Sequence, residues 1–116
     1  MTSILNTMKS MLLGDETDTS FDTELIVHIN TVLMTLRQLG VADDTVFYVT
    51  DANDEWDEIL GENDDLEAIK TYMYLKVKLV FDPPTNSFVL DSINKQIAEL
   101  ESRINMNAEG GTNDES

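Results

Sequence analysis

The chain has 116 residues, which suffices for one domain with one modest core, and it has no cysteine, which excludes disulfides and thiolate metal sites. It carries 23 acidic and 7 basic residues, a formal net charge of −16, and such a surface repels phosphate backbones, which excludes ordinary nucleic-acid binding through lysine and arginine. No apolar stretch approaches the ~20 residues of a membrane span, and residues 1–14 lack the basic start and the cleavage site of a signal peptide, so we expect no membrane insertion and a cytoplasmic origin.

The acidic residues are distributed unevenly along the chain. Residues 1–65 hold 15 acidic residues and 2 basic ones, a net charge of −13. Residues 66–105 hold five of each sign and are neutral, and residues 106–116 add three further acidic residues. The chain therefore has an acidic front, a neutral back and an acidic tail.

Two helices are predicted in the N-terminal half. The opening stretch has apolar residues at helical spacing, and Gly14 suits the left-handed position that ends a helix. The second helix begins with a cap at Ser20 or Asp22 and ends at Gly40, with Val41 folding back as in a Schellman motif. Its buried face is predicted to consist of Leu25, Ile26, Ile29, Val32, Leu33, Leu36 and Leu39.

The segment 46–50 is β-branched and aromatic, and it predicts an isolated strand or an extended link. A short helix holding Trp56 follows, with Asp54 as its cap and Gly61 as its end. Because glycine lacks a Cβ, it is suited to the left-handed turn at such an end.

Residues 51–62 match part of an EF-hand calcium loop. Oxygen-bearing side chains fall at the expected ligand positions, namely Asp51, Asn53, Glu55, Asp57 and Glu62. The sixth position requires a sharp turn and calls for glycine, but here it is Trp56. We therefore favour a capped short helix at this loop over a calcium site.

A central helix is predicted over residues 65–81, after a cap at Asn63 or Asp64. Pro83 and Pro84 end it, because proline has no N–H to donate and forces the preceding residue out of helical geometry. Two adjacent apolar stripes predict a wide buried face and a position in the middle of the bundle. One stripe comprises Leu66, Ile69, Met73, Val77 and Val80, and the other comprises Tyr72, Leu75 and Leu79.

The last helix is predicted from about Phe88 to Met106, after a cap at Ser87. It has one narrow apolar stripe, Val89, Ile93, Ile97, Leu100 and Ile104, flanked by charges of alternating sign. Such a helix suits the edge of a bundle or a contact with a neighbouring subunit. Bundle or inter-subunit packing is therefore predicted for Tyr72, Leu75, Leu79, Ile93, Ile97 and Leu100.

These elements predict a mainly α fold: a small bundle of four to five helices, with a short extended or β segment near 46–50 and a disordered C-terminal tail. The domain is expected at 1–106 and the flexible acidic tail at 107–116. No catalytic pattern is present, because acidic pairs such as Asp43 and Asp44 sit beside turns and His28 has no nucleophile near it in sequence. We expect no enzymatic activity, cofactor or metal.

The C-terminal half resembles that of phage head–tail connector, or adaptor, proteins. The resemblance rests on YMYLKVKLVFDPPTNS at 72–87 and INKQIAELESRI at 93–104. In that family a long helix ends in a similar Phe-Asp-Pro-Pro break, and a Lys-Gln-Ile helix follows it. Upstream, a helix ending in Leu-Gly-Val, an aromatic stretch and a Trp-containing turn are also similar, so the resemblance covers about residues 20–105.

The resemblance implies a structural virion-assembly protein of a tailed bacteriophage. Relatives form a ring, typically of twelve copies, which lies beneath the portal, extends the DNA channel and joins head to tail. The implied partners are the portal protein, the next head-completion or tail-side protein and further copies of the chain. The implied location is the virion, with the host cytoplasm during assembly. The C-terminal helix contacts the portal in relatives, which implies a portal-facing segment of Arg103, Ile104, Asn105 and Met106.

The charge distribution suits a channel through which DNA passes without binding. An acidic wall repels DNA over roughly a Debye length, ~8 Å at physiological salt. We therefore expect residues 1–65 to face the channel or solvent, and residues 66–105 to build the ring and portal contacts. The alternative is an acidic DNA mimic that inhibits a DNA-binding enzyme, which the charge supports but which gives no account of the Asp82–Pro84 break.

Overall fold

A computed structural model of the protein describes residues 3–41, 48–60 and 65–113, and within these ranges it is mainly helical. The helices are α1 (Ile4–Leu13), α2 (Asp22–Gln38), α3 (Trp56–Leu60), α4 (Leu66–Phe81) and α5 (Ser87–Asn113). The described ranges contain no strand, and Ser3 and Glu55 form one isolated antiparallel bridge. The predicted helical bundle is thus confirmed. None of the described helices has the length and apolar character needed to cross a membrane.

Helix α1 is capped at both ends by the residues that flank it. Ser3 Oγ accepts a hydrogen bond from the Asn6 N–H at 3.1 Å, which satisfies one of the free donors of the first turn. Gly14 has a φ of 71° and donates its N–H to the Ser10 carbonyl at 3.1 Å. The prediction that the helix ends at Gly14 is confirmed, since this left-handed conformation favours glycine.

The end of α2 is the Schellman motif that the sequence predicts. Gly40 has a φ of 101° and donates to the Arg37 carbonyl, while Val41 donates to the Leu36 carbonyl at 3.0 Å and is buried. The beginning of α2 differs from the prediction. Phe21 occupies the capping position and no side chain caps the helix there.

The extended segment is held by a side chain of α2. Asn30 Oδ1 accepts from the Val49 N–H at 2.7 Å, and Asn30 Nδ2 donates to the Val49 carbonyl at 3.1 Å. The amide group of Asn30 thereby replaces the neighbouring strand that both backbone groups would otherwise require. Residues 48–50 are therefore an extended link, and the predicted residues 46 and 47 lie outside the described part of the chain.

The α3 helix begins with a different cap from the predicted one. Glu58 Oε1 accepts from the Glu55 N–H at 3.0 Å, as the acidic residue of a capping box does. Asp54 Oδ2 instead accepts from the Thr50 N–H at 2.8 Å and from the Asp51 N–H. The predicted Asp54 cap is wrong because this carboxylate closes the preceding turn. The predicted helix end at Gly61 and the predicted caps Asn63 and Asp64 lie outside the described residues.

Helix α4 lies at the centre of the bundle, as predicted, because it contacts α1, α2 and α5. Its buried residues come from both predicted stripes and are Ile69, Tyr72, Met73, Leu75 and Val77. Val80 was predicted to be buried, but it is exposed in the last turn of the helix. Burial of the two stripes removes apolar area from water against three partner helices, at about 25 cal/mol per Å².

A break at Asp82–Pro84 separates α4 from α5, as predicted, and α4 ends at Phe81. The cap of α5 is Asn86, whose Oδ1 accepts from the Phe88 N–H at 2.8 Å, so the prediction of Ser87 as the cap is wrong. In the predicted stripe, Ile93, Ile97 and Ile104 are buried, whereas Val89 is exposed. Helix α5 continues to Asn113, beyond the predicted end at Met106. The tail predicted at 107–116 lies partly outside the described residues and stays a prediction.

Candidate assembly interface

The outward side of α2 is exposed, uncharged and partly apolar. Val27, Thr31, Met34 and Gln38 follow one another at intervals of four, three and four residues, so they form one strip, here called the α2 outer face. Val27 is 58% exposed and Met34 is 60% exposed. Residues 25–42 contain no acidic residue, although they belong to the half of the chain with a net charge of −13. This strip is therefore a place in the acidic half where another protein surface meets little like charge.

Two threonine hydroxyls of α2 are turned inward along the helix. Thr31 Oγ1 donates to the Val27 carbonyl at 3.0 Å, and Thr35 Oγ1 donates to the Thr31 carbonyl at 3.3 Å. The hydroxyl donors are thus used within the helix, which leaves the threonine methyl groups for contact with a partner. The α2 outer face can consequently be buried without stranding these donors.

A second apolar surface lies at the turn between α4 and α5. It comprises Val80 at the end of α4 and Phe88 and Val89 at the start of α5, and is here called the hairpin tip. Phe88 is 85% exposed, which is unusual for an aromatic side chain of this size. The Asn86 cap fixes the backbone at Phe88, so the ring projects from an ordered helix start.

An aromatic pair connects the segment before α2 to the end of α4. Phe21, which precedes α2, and Phe81, which ends α4, meet edge to face with ring centroids 5.2 Å apart and an interplanar angle of 80°. This contact holds the start of α2 against the end of α4. The hairpin tip is therefore attached to the N-terminal helices and does not depend on α5 alone.

The predicted portal-facing segment is divided between exposed and anchored residues. Ile104 is buried, and Asn105 Nδ2 donates to the Leu39 carbonyl at the end of α2 at 3.0 Å. Arg103 Nε lies 3.6 Å from Asp65 Oδ1 with its side chain largely exposed, and Met106 is 66% exposed. The segment thus presents Arg103 and Met106 outward, while Ile104 and Asn105 fix the orientation of α5.

Helix α5 runs past the start of α4. Asn107 Nδ2 donates to Asp65 Oδ2, and Asp65 directly precedes α4. The helix continues for six residues beyond this anchor, to Asn113.

The residues predicted to pack the bundle or the subunit contacts lie within the bundle. Tyr72, Leu75, Ile93 and Ile97 are buried, and Leu79 and Leu100 pack against the core while partly buried. Tyr72 Oη donates to Glu101 Oε2 at 2.7 Å, which satisfies the buried hydroxyl. Burial raises the pKa of Tyr72, and the hydrogen bond to Glu101 raises it further. These side chains fix α5 on α4, and their role in contacts between subunits stays a prediction.

Lys9 on α1 is buried together with a charge of opposite sign. It is 2% exposed, and its Nζ lies 3.0 Å from Asp22 Oδ1 at the start of α2. Asp22 Oδ1 is itself buried and forms no hydrogen bond of good geometry within the described ranges, so the attraction is mainly coulombic. Lys9 is one of the 2 basic residues among residues 1–65, and its use here leaves the surface of the acidic half with less positive charge.

Trp56 joins the short helix α3 to α1. Its indole N–H donates to Thr7 Oγ1 at 3.0 Å, and Thr7 Oγ1 in turn donates to the Ser3 carbonyl at 2.7 Å. The ring is buried, and Lys70 Nζ lies 5.8 Å from its centroid. Trp56 therefore has a structural role that leaves no room for the turn of an EF-hand loop.

In the loop that resembles an EF-hand, residues 51–62, acidic side chains accept hydrogen bonds from nearby backbone N–H groups. Asp51 Oδ1 accepts from the Asn53 N–H at 2.8 Å, and the Thr50 N–H holds the pKa of Asp54 below its ordinary value. Within residues 3–41, 48–60 and 65–113, no three His, Cys, Asp or Glu side chains form a group suited to a metal ion. Glu62, the twelfth loop position, lies outside those ranges. The arrangement is that of a capped turn and a short helix.

His28 lies beside a carboxylate of its own helix. Its Nε2 is 3.8 Å from Glu24 Oε2, one turn earlier on α2. The nearby hydroxyl-bearing residues of this helix bond to backbone carbonyls. The contact is a surface pair between neighbouring turns, of the kind that contributes a few tenths of a kcal/mol.

Hydrophobic periodicity predicts the buried stripe of α2 but not its outer face. Val27 and Met34 are the apolar residues of this helix that fall outside the stripe, and the absence of acidic residues over 25–42 is visible in the sequence. Both features together mark an exposed surface with little charge. Phe88, by contrast, is missed because the prediction places it simply at the start of the last helix.

Comparison with protein families gives one match over nearly the whole chain. The family model described as "Phage connector protein" matches residues 4–111. The matched region includes all of α1 to α4 and most of α5. Comparison with curated proteins and comparison with solved structures each give no match.

Proposed function

The chain belongs to the phage connector protein family, which gives it a structural role in phage assembly, and on that premise we propose that it forms a ring beneath the portal. The ring extends the DNA channel and joins the head to the next tail-side protein. Its partners are the portal protein, that tail-side protein and further copies of the chain, twelve in the complete ring. The family match over residues 4–111 is the observation that carries this proposal.

The exposed surfaces support a ring. A ring of identical subunits needs two different complementary surfaces on each subunit, because every copy contacts the next in the same head-to-tail manner. The chain exposes the α2 outer face and the hairpin tip, and both are apolar. Both lack the dense negative charge that would oppose contact between copies of a protein with a net charge of −16.

The charge supports a channel that does not hold DNA. The acidic residues of 1–65 outnumber the basic ones by 13, and Lys9 is buried in an ion pair. A ring in which this half faces the channel or solvent repels the phosphate backbone, so DNA passes without specific binding. The neutral residues 66–105 then provide the portal contact and, together with the α2 outer face, the ring contacts.

The exposed residues of α5 provide the portal contact. Arg103 and Met106 point outward, and Ile104 and Asn105 hold the helix to its own subunit. An exposed methionine beside an arginine is typical of protein interfaces, where both residue types are enriched.

The proposal is tested by mixing the purified chain with purified portal and measuring the mass of the complex by light scattering and electron microscopy. We expect a ring of the chain on one face of the portal. The Met106→Asp variant should bind at least about tenfold more weakly, the loss of roughly 1.4 kcal/mol at an apolar contact. Asn94→Asp, which adds the same charge at another exposed position of α5, is the matched control. A chain that ignores the portal and inhibits a nuclease would instead favour the DNA-mimic alternative.

A further inference from the structure

The α2 outer face and the hairpin tip differ in shape and in the charge beside them. Met34 and Val27 form a low apolar strip along a helix, whereas Phe88 projects from a helix start. Methionine is flexible and polarizable, and it makes favourable contacts with aromatic rings. The α2 outer face, which contains Met34, is therefore a suitable packing surface for a projecting phenylalanine.

One charged side chain beside each surface is opposite in sign to the other. Arg37 follows Met34 by three residues on α2, and Asp91 follows Phe88 by three residues on α5. Both side chains are exposed, and neither has an ion-pair partner among the residues that the structure describes. An arginine beside the strip and an aspartate beside the projecting ring would become paired if the two surfaces met.

We infer that the α2 outer face of each subunit binds the hairpin tip of the next copy, an inference that rests on the proposed ring. Phe88 packs on Met34 and Val27, and Asp91 pairs with Arg37. Because the two surfaces differ, the contact repeats from copy to copy and closes into a ring. The occupant of the α2 outer face is thus a second copy of this chain, and the portal binds elsewhere.

The absence of cysteine permits a cross-linking test on the complex with the portal. The double variant Met34→Cys/Phe88→Cys should give, on mild oxidation, a ladder of covalent oligomers up to the complete ring. A mixture of the two single variants should stop at dimers. Each single variant alone should give no cross-linked chain, because like positions do not meet in a head-to-tail contact. Met34→Cys paired with Gln96→Cys, at an exposed position in the middle of α5, is the control.

Four results would overturn the inference. Dimers from Met34→Cys alone would show a two-fold contact at the α2 outer face. If the double variant assembles a normal ring on the portal but forms no cross-link, the proposed function stands and the contact between the α2 outer face and the hairpin tip is wrong. If the portal protects the thiol of the Met34→Cys variant from alkylation and the double variant forms no cross-links between copies, the α2 outer face binds the portal. If the wild-type chain forms no ring on the portal, both the inference and the proposed function fail.

A charge exchange tests the polar part of the contact separately. Arg37→Glu should lower the yield of ring on the portal at least about fivefold at low salt, because it places two acidic residues opposite each other. Arg37→Glu combined with Asp91→Arg should restore most of that yield. If the single and double variants lose the same fraction of the ring yield while their helical content is unchanged, the pairing of Arg37 with Asp91 is contradicted.

Discussion

At the scale of single residues, the described core holds one buried charge, that of Lys9, and its position depends on Asp22. A buried ion pair adds little net stability over a matched apolar pair, but loss of one partner leaves a charge without compensation. In the sequence, Lys9 is the one charged residue of the stretch 1–14. The sequence does not identify the partner, because the approach of α1 to α2 is set by the tertiary packing of both helices.

We expect the Lys9→Met variant to lose about 2–4 kcal/mol of unfolding free energy, because Asp22 is left partly buried without its partner. The Lys9→Met/Asp22→Asn double variant should recover a large part of that loss. Urea denaturation followed by circular dichroism measures both. A double variant that is less stable than the single one would show that Asp22 contributes mainly through another contact.

Tyr72 gives a prediction for alkaline pH. Burial raises the pKa of its hydroxyl above that of the unfolded chain, where it titrates near 10. Its contribution to stability is therefore fully present below about pH 10 and is lost as the pH rises above that value. The Tyr72→Phe variant should have an unfolding free energy about 1 kcal/mol lower at neutral pH, because Glu101 loses a hydrogen-bond donor. Its unfolding free energy should also change less with pH between about 9 and 11 than that of the wild type.

Denaturation of wild type and Tyr72→Phe at a series of pH values isolates this effect, since the two proteins differ only in this hydroxyl. Parallel stability curves for the two proteins above about pH 9 would contradict the assignment. The sequence predicts the burial of Tyr72 from its stripe, but its hydrogen bond to Glu101 spans 29 positions and follows from the packing of α5 on α4.

At the scale of helices, periodicity and glycine or proline positions predict the order of the elements well. Gly14 and Gly40 end their helices as expected because glycine adopts the left-handed conformation at little cost, and Pro83 ends α4 because it restricts the residue before it and has no N–H to donate. The N-terminal caps are predicted less well. Adjacent polar residues such as Asn86 and Ser87 are both capable of capping, and the backbone dihedral angles decide which side chain faces the free N–H groups.

The cap of α5 is tested with two neighbouring variants. Asn86→Ala should lower the unfolding free energy by about 1 kcal/mol, because the Phe88 N–H loses its acceptor. Ser87→Ala lies inside the helix and should change stability by only a few tenths of a kcal/mol. Thermal denaturation of both variants decides which residue is the cap. A larger loss of unfolding free energy for Ser87→Ala would mean that Ser87 is the cap.

At the scale of the whole molecule, the net charge of −16 acts against the compact fold and against assembly. The sequence predicts the separation into an acidic front and a neutral back. It does not predict that the outer face of α2 interrupts the acidic half, because exposure of Val27 and Met34 depends on which face of α2 packs on α4. This exposed strip is the main addition that the structure makes to the candidate interface.

We expect sodium chloride to raise the melting temperature of the isolated chain between about 0.02 and 0.5 M, because screening reduces the repulsion among acidic residues. Potassium chloride should act equally, which separates screening from specific binding of sodium. Differential scanning calorimetry measures the shift. A melting temperature that falls with salt would mean that attractive ion pairs such as that of Lys9 outweigh the repulsion.

The most direct test of the assembly role is electron cryomicroscopy of the chain bound to its portal. We expect a closed ring coaxial with the portal. Residues 1–65, apart from the α2 outer face, should face the channel or solvent. Residues 66–105 should provide the portal contact and the hairpin tip that covers the α2 outer face of a neighbouring copy. A ring whose channel is lined by residues 66–105, or single chains attached to the portal without a ring, would contradict the proposed assembly.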